Sequence, residues 1–390
     1  MASHRWLMAA PVLALLVGMA TVRAEEEDPS FRGKKLSTWI ELLQNGKTYD
    51  DRLLGLLALQ SIGPNKSRKV TSALIAAVRE NSEVKIRAGA ARALGRFAAR
   101  AHEDEDVPIN KIRDALAATL RTDKTPAVRK AAATALGEMK GRAVGAVDVL
   151  ATALKDPDAS VRTEAASALR NIGKHADDAL AELQATLKNA KLERLTRIHC
   201  ARAIGLIGAP QASPAVPTLK EVLADSKNDS ELRRACAAAL GDLGKNGSEG
   251  VPALAAALTS KDSDTLLRRA AAEALDQIGA EARPALPALK TALKDDDQFV
   301  RSLSLHALSR MGKELGDDRK EVVVGMLAAM DDNVLEVRVA AIEGLGHLGT
   351  DVLGEQSMLV VNKLADAARD PRKAVSEAAR VALKKLQSGS

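Results

Sequence analysis

Three groups of residues in this sequence have the types and spacing of chemical sites. Cys200 and Cys236 are the chain's two cysteines, and His199 precedes the first. A thiol beside an imidazole is the arrangement of a cysteine nucleophile, while two cysteines in one register could make a disulfide. His306, Glu343 and His347 carry the nitrogen and oxygen donors that zinc and other transition metals take. Glu343 and His347 share one helix face, four residues apart. Finally, "GLGHLG", Gly344 to Gly349, has the letters of the dinucleotide fingerprint G-x-G-x-x-G.

All three groups fall on a recurring pattern. "DPDASVRTEAASALRNIG", Asp156 to Gly173, returns in outline as "KTPAVRKAAATALG", "SELRRACAAALG" and "LEVRVAAIEGLGHLG". An arginine seven residues before a Leu or Ile anchors each unit: Arg52, Arg87, Arg129, Arg162, Arg197, Arg233, Arg268, Arg301 and Arg338. A tenth unit puts Ser376 in that place. Spacings of 33 to 42 residues are those of a solenoid. In the quoted unit Val161, Ala165, Ala168, Leu169 and Ile172 make one apolar stripe at helical spacing, which a neighbouring unit must cover. Glycines four after the Leu or Ile, such as Gly173 and Gly279, read as helix stops. Asp or Ser in "KDPD" and "KDDD" reads as a cap of the helix that follows. A second helix with proline near its start, as in "VPALAAAL", comes before each turn. Each unit is therefore helix A, a short acidic turn, and helix B.

Against this pattern the chemistry thins out. "GLGHLG" closes a helix B, whereas the fingerprint needs a strand before it and a helix after it. Cys200 and Cys236 occupy a slot, three after the anchor, that holds alanine in Ala90, Ala132, Ala165, Ala271 and Ala341. Two readings stand: small buried residues replacing alanine, or a disulfide between consecutive units. Adjacent helix axes lie about 8–10 Å apart, a strain on one ion shared by His306, Glu343 and His347. No cofactor or metal is therefore expected. What remains is a surface. Positions five and nine after the anchors should line the inner face of the superhelix, giving Arg92, Arg96, Glu138, Asn171, Arg202, Asp242, Glu273, Gln277, His306, Arg310, Glu343 and His347.

Composition agrees with close-packed helices. Aromatic residues are 2% of the 390 and hydrophobic ones 46%, so the core is built from Ala, Leu, Val and Ile. The first 24 residues, with Arg5, an apolar run from Trp6 and small residues at Val22 and Ala24, have the layout of a secretory signal peptide. Without them Lys and Arg number 55 against 51 Asp and Glu. That balance is no nucleic-acid signature, and no later apolar run is long enough for a membrane span. The expected organisation is a signal peptide at 1–24, a short linker at 25–33, one solenoid domain at 34–386 and a tail at 387–390. The expected location is exported, periplasmic or extracellular.

Six units also place Asp six residues before the anchor position: Asp123, Asp156, Asp262, Asp295, Asp332 and Asp370. Asp, then an apolar residue next to Arg, then "AAxALGxIG", resembles the HEAT repeat, closest to the short-looped type named after the phycobilisome lyase subunits. "GKKLSTWIELL" is similar to the lead-in helix of secreted bacterial HEAT proteins. The resemblance implies an all-α, right-handed α-solenoid of about ten helix pairs. It also implies a structural ladder in which Asp123, Asp156, Asp262, Asp295 and Asp332 meet Arg87, Arg129, Arg162, Arg197, Arg233, Arg268, Arg301 and Arg338 of neighbouring turns. The deoxyhypusine hydroxylase type needs repeated His-Glu pairs for two irons, and this chain has one, His102–Glu103. The resemblance thus implies a non-catalytic scaffold that binds another protein along its concave face. A bilin-lyase-like or other cofactor-handling role is the alternative.

Overall fold

The computed structural model describes residues 28–64, 68–102 and 107–388. The signal-peptide reading and the acidic run Glu103–Asp106 lie outside the described residues. A small antiparallel hairpin pairs Ser30–Phe31, within the expected linker, with Lys34–Lys35 at the start of the expected solenoid. It is held to the first helix by Trp39, whose indole N–H donates to the Phe31 carbonyl at 3.0 Å.

Among the described residues after the hairpin, the helices form ten A–B pairs. The first three are α1 (Leu36–Asn45) with α2 (Tyr49–Ile62), α3 (Arg68–Glu80) with α4 (Val84–Arg100), and α5 (Ile109–Thr122) with α6 (Pro126–Glu138). Next come α7 (Val147–Ala153) with α8 (Ala159–Ile172), α9 (Leu180–Lys188) with α10 (Arg194–Ile207), and α11 (Val216–Ala224) with α12 (Ser230–Asp242). Then follow α13 (Val251–Thr259) with α14 (Thr265–Ile278), and α15 (Leu286–Ala292) with α16 (Gln298–Met311). The last two are α17 (Arg319–Ala329) with α18 (Leu335–Leu353), and α19 (Ser357–Ala367) with α20 (Lys373–Ser388).

Local chemistry sets these limits. Asp158, Asp229, Asp264 and Asp297 cap helices B by accepting hydrogen bonds from backbone N–H groups of the first turn. Gly173 and Gly279 end helices B at φ of 68° and 77°, a region that L side chains rarely adopt. Proline stands in the first turn of α11, α13 and α15, where no donor is needed.

Successive helices B pack on one another from α2 to α20, and helices A form the second layer. The B layer is the tighter of the two, which bends the stack with helices B on the concave side. Small residues permit this approach. A Cβ added at Gly95 would lie 2.7 Å from Ala135 Cα, and one at Gly241 would lie 2.8 Å from Ala274 Cα. The slot three after the anchor is buried throughout, with Ala90, Ala132, Ala165, Cys200, Cys236, Ala271, Ser304 and Ala341 all fully covered. One contiguous apolar core runs the length of the stack, from Leu36 to Leu386.

Along one edge runs an arginine ladder. Arg87 holds Asp123, Arg129 holds Asp156, Arg268 holds Asp295 and Arg301 holds Asp332, each through Nε and Nη2 to the two carboxylate oxygens. The same guanidiniums reach back through Nη1 to a carbonyl of their own turn, as Arg129 does to Asp123 O at 3.0 Å. Burial raises the Asp123 carboxyl, but the Arg87 guanidinium and the Thr125 N–H outweigh it and hold the group below its usual range.

Four anchor arginines differ from the expected pattern. Where Asp is missing, Glu193 receives Arg162, and Asn228 Oδ1 receives Arg197 at 3.1 Å. Asp262 is not a rung: its side chain is exposed, and buried Arg233 donates instead to the Leu223 carbonyl at 2.8 Å. The turn "SKDSD" turns Ser263, not Asp262, inward. Arg338 donates to the Asp332 carbonyl, while Asp370 is taken by Arg372 of its own turn.

Candidate protein-binding face

The concave face is a row of helix-B side chains repeated at fixed slots. Arg92, Glu138, Asn171, Arg202, Asp242, Glu273, Gln277, Arg310, Glu343 and His347 are exposed there, and Arg96 and His306 are half-buried. Leu57, Leu206 and Val381 take the same slots and are 50%, 52% and 55% exposed. The face therefore mixes charge with isolated apolar side chains.

Two of its positions are electrostatically marked. Asp276, half-buried on α14, lies with one carboxylate oxygen 3.0 Å from Arg310 Nε of α16. Burial raises its pKa against the opposing pull of Arg310 and His306. On α10, burial first, and then the charges of Arg170 and Arg202, push the His199 imidazole down to about 4. Arg170 Nη1 lies 3.1 Å from His199 Nδ1, so the neutral ring accepts from the guanidinium.

Toward the C-terminal end the face deepens into an open groove of about 690 Å³ between α14, α16, α18 and α20. It brings together His306, Glu343 and His347, the three donors expected as candidate metal ligands. They do not converge: among the described residues no group of three or more His, Cys, Asp or Glu is arranged to hold a metal ion. Spread over α16 and α18, they line the groove walls with Asp276, Glu377 and Lys385. Asp276 was missed in the sequence because it sits eight places from its anchor, outside the slots used, and Glu377 and Lys385 because they belong to the tenth unit, where Ser376 replaces the anchor arginine.

The cysteines are free thiols, so the disulfide reading is not met. Both are fully buried between helices B, and burial raises the Cys236 thiol to about 12 and Cys200 further. A thiol so placed is not ionised at neutral pH and is no nucleophile. Gly349 breaks α18 at φ 74°, and no strand precedes "GLGHLG". The dinucleotide reading thus fails on context.

Ten stacked helix pairs with one shared core and an internal ladder define an α-solenoid. The family description "HEAT repeats" matches residues 113–195, 190–275 and 251–345, more than half of the chain, and the chain belongs to that family. Among solved structures, the chain is similar to a crystal structure titled an engineered protein. Identity is 23%, over 91% of this chain and 99% of that one, with a TM-score of 0.59, a likeness of fold alone. No curated protein matches the chain. Among the described residues no helix is long and apolar enough to cross a membrane.

Proposed function

We propose that the chain is a non-catalytic scaffold that binds another protein along its concave face. The observation that carries this reading is the contrast between slots of the same helices. The anchor arginines are spent on ladder carboxylates or on backbone carbonyls of the turns and the slots three after them on the core, whereas Arg92, Glu138, Leu206, Glu273 and Glu343 stand exposed along the same helices B. Charged positions interleaved with exposed Leu57, Leu206 and Val381 give a surface on which apolar contacts supply affinity and charges select the partner. The Asp–Arg rungs support the short-looped repeat type, and the layout of residues 1–24 supports an exported location.

The test is site-directed photo-crosslinking in the exported fraction of the source cells. A photoreactive residue at Arg92, Leu206 or Glu343 should yield a discrete adduct that the Arg92→Glu/Arg96→Glu/Arg202→Glu variant weakens. Adducts formed only from a probe on helices A, such as at Lys188 of α9, would overturn the assignment of the face.

A further inference from the structure

The position eight residues after the anchor is the close-contact slot of helix B, held by Gly95, Gly137, Gly205, Gly241 and Gly346. Among the nine units with an arginine anchor, two put a charge there instead, Arg170 and Asp276. Asp276 is answered by Arg310 at 3.0 Å. Arg170 is not answered by any carboxylate among the described residues. Its partners are His199 Nδ1 at 3.1 Å and Asn171 Oδ1 at 3.2 Å, both neutral acceptors.

The neighbouring groups add to the imbalance. Arg202, eight places after Arg194 on α10, has only a loose contact with Glu231 of α12, at 3.6 Å. That same Glu231 lies 3.2 Å from Arg194, which also holds Asp229. Arg202 therefore has a fraction of one carboxylate, shared with Arg194 of its own helix, and Arg170 of the preceding turn has none. A half-buried arginine backed by a neutral imidazole keeps its fork fixed and its charge unspent, an arrangement suited to a planar carboxylate. Exposed Leu206, one turn beyond Arg202, supplies an apolar shoulder to such a contact.

We propose that Arg170, Asn171 and Arg202 form a receptor on the concave face for a carboxylate side chain from an acidic segment of the partner protein. This rests on the reading of the concave face as the binding surface. His199 is the positioning residue, and it reports on occupancy. Its imidazole is held down partly by Arg170 and Arg202, so a bound carboxylate should raise its pKa from about 4.

The experiment uses an end-capped hexaglutamate peptide as probe, with calorimetry at low ionic strength and proton NMR of the His199 ring across pH 3–7. Wild type should bind and its His199 midpoint should rise. Arg170→Gln should weaken binding roughly tenfold or more, and Arg170→Lys should recover part of the loss. Circular dichroism confirms that both variants are folded. Equal affinity in wild type and Arg170→Gln, an unmoved His199 midpoint, or full displacement of the peptide by equimolar inorganic phosphate would each overturn the proposal. The photo-crosslinks are independent of this probe. Concave adducts without hexaglutamate binding would remove the carboxylate receptor alone, and hexaglutamate binding without concave adducts would remove the scaffold reading.

Discussion

Arg129 and Asp156 lie 27 residues apart and meet in a two-bond fork, Nε to Oδ2 at 2.7 Å and Nη2 to Oδ1 at 2.8 Å. Each side chain is only about a tenth exposed. The rung joins α6 to the turn before α8, so it links one helix pair to the next. Removing one partner strands the other.

That makes the ladder the structural element most sensitive to single substitutions. Arg129→Ala should leave the Asp156 carboxylate with only the Asp158 N–H at 2.9 Å, and the Asp123 carbonyl without its arginine donor, at a cost of about 2–4 kcal/mol. Arg162→Ala should behave alike through Glu193. Arg92→Glu with Arg96→Glu, on the concave face, should stay within about 0.5 kcal/mol of wild type per site. Urea unfolding followed by circular dichroism measures the difference, and equal losses would mean the two faces are wrongly assigned.

Acid should attack the same rungs. The Arg162 guanidinium, against some burial, lowers Glu193, and Arg301 and the Val334 N–H outweigh burial to lower Asp332. A carboxyl depressed on folding contributes stability that is present above its unfolded value, near 4, and is lost as pH falls through the folded value. The urea midpoint should therefore hold from pH 7 to about 5 and decline below about 4. Asp123→Asn should be less stable at pH 7 and show a shallower decline. A midpoint that stays level down to pH 2.5 would count against the ladder as an acid-labile element.

The repeat, its helix limits and the buried slot were legible in the sequence because each depends on local spacing, and the rungs at Asp123, Asp156, Asp295 and Asp332 follow what the HEAT resemblance implies. Ala165, Gly173 and Arg162 recur in register, and register is what a sequence displays. What escaped was side-chain direction within irregular turns. Glu193 and Asn228 substitute for Asp from different offsets, and Asp262 has the right offset in a turn that points it outward. The groove was half legible: His306, Glu343 and His347 were found as a group, but their failure to converge depends on the distance between α16 and α18. Arg170 escaped because its meaning lies in the neutrality of its partners, a property of three dimensions.

Reactivity of the cysteines follows from burial. With both thiols enclosed and raised in pKa, native protein at pH 8 should take up no Ellman's reagent over minutes, while two thiols should react in denaturant. Cys200→Ala and Cys236→Ala should each cost no more than about 1–1.5 kcal/mol, because alanine already fills this slot elsewhere. Prompt reaction of one thiol in the folded chain would show that the helices around it open.

Ser304 gives the opposite sign. It sits in the same buried slot, fully covered, and its hydroxyl has no hydrogen-bond partner among the described residues. Neighbouring turns hold Ala271 and Ala341 at this place, so the surrounding helices already accept a methyl group. Replacing an unsatisfied buried hydroxyl by hydrogen removes a desolvation penalty and leaves almost no cavity. Ser304→Ala should therefore stabilise the chain by about 1 kcal/mol, read as a higher urea midpoint at unchanged slope. A lower midpoint would show that Ser304 finds a partner in solution, with α16 seated differently against α18.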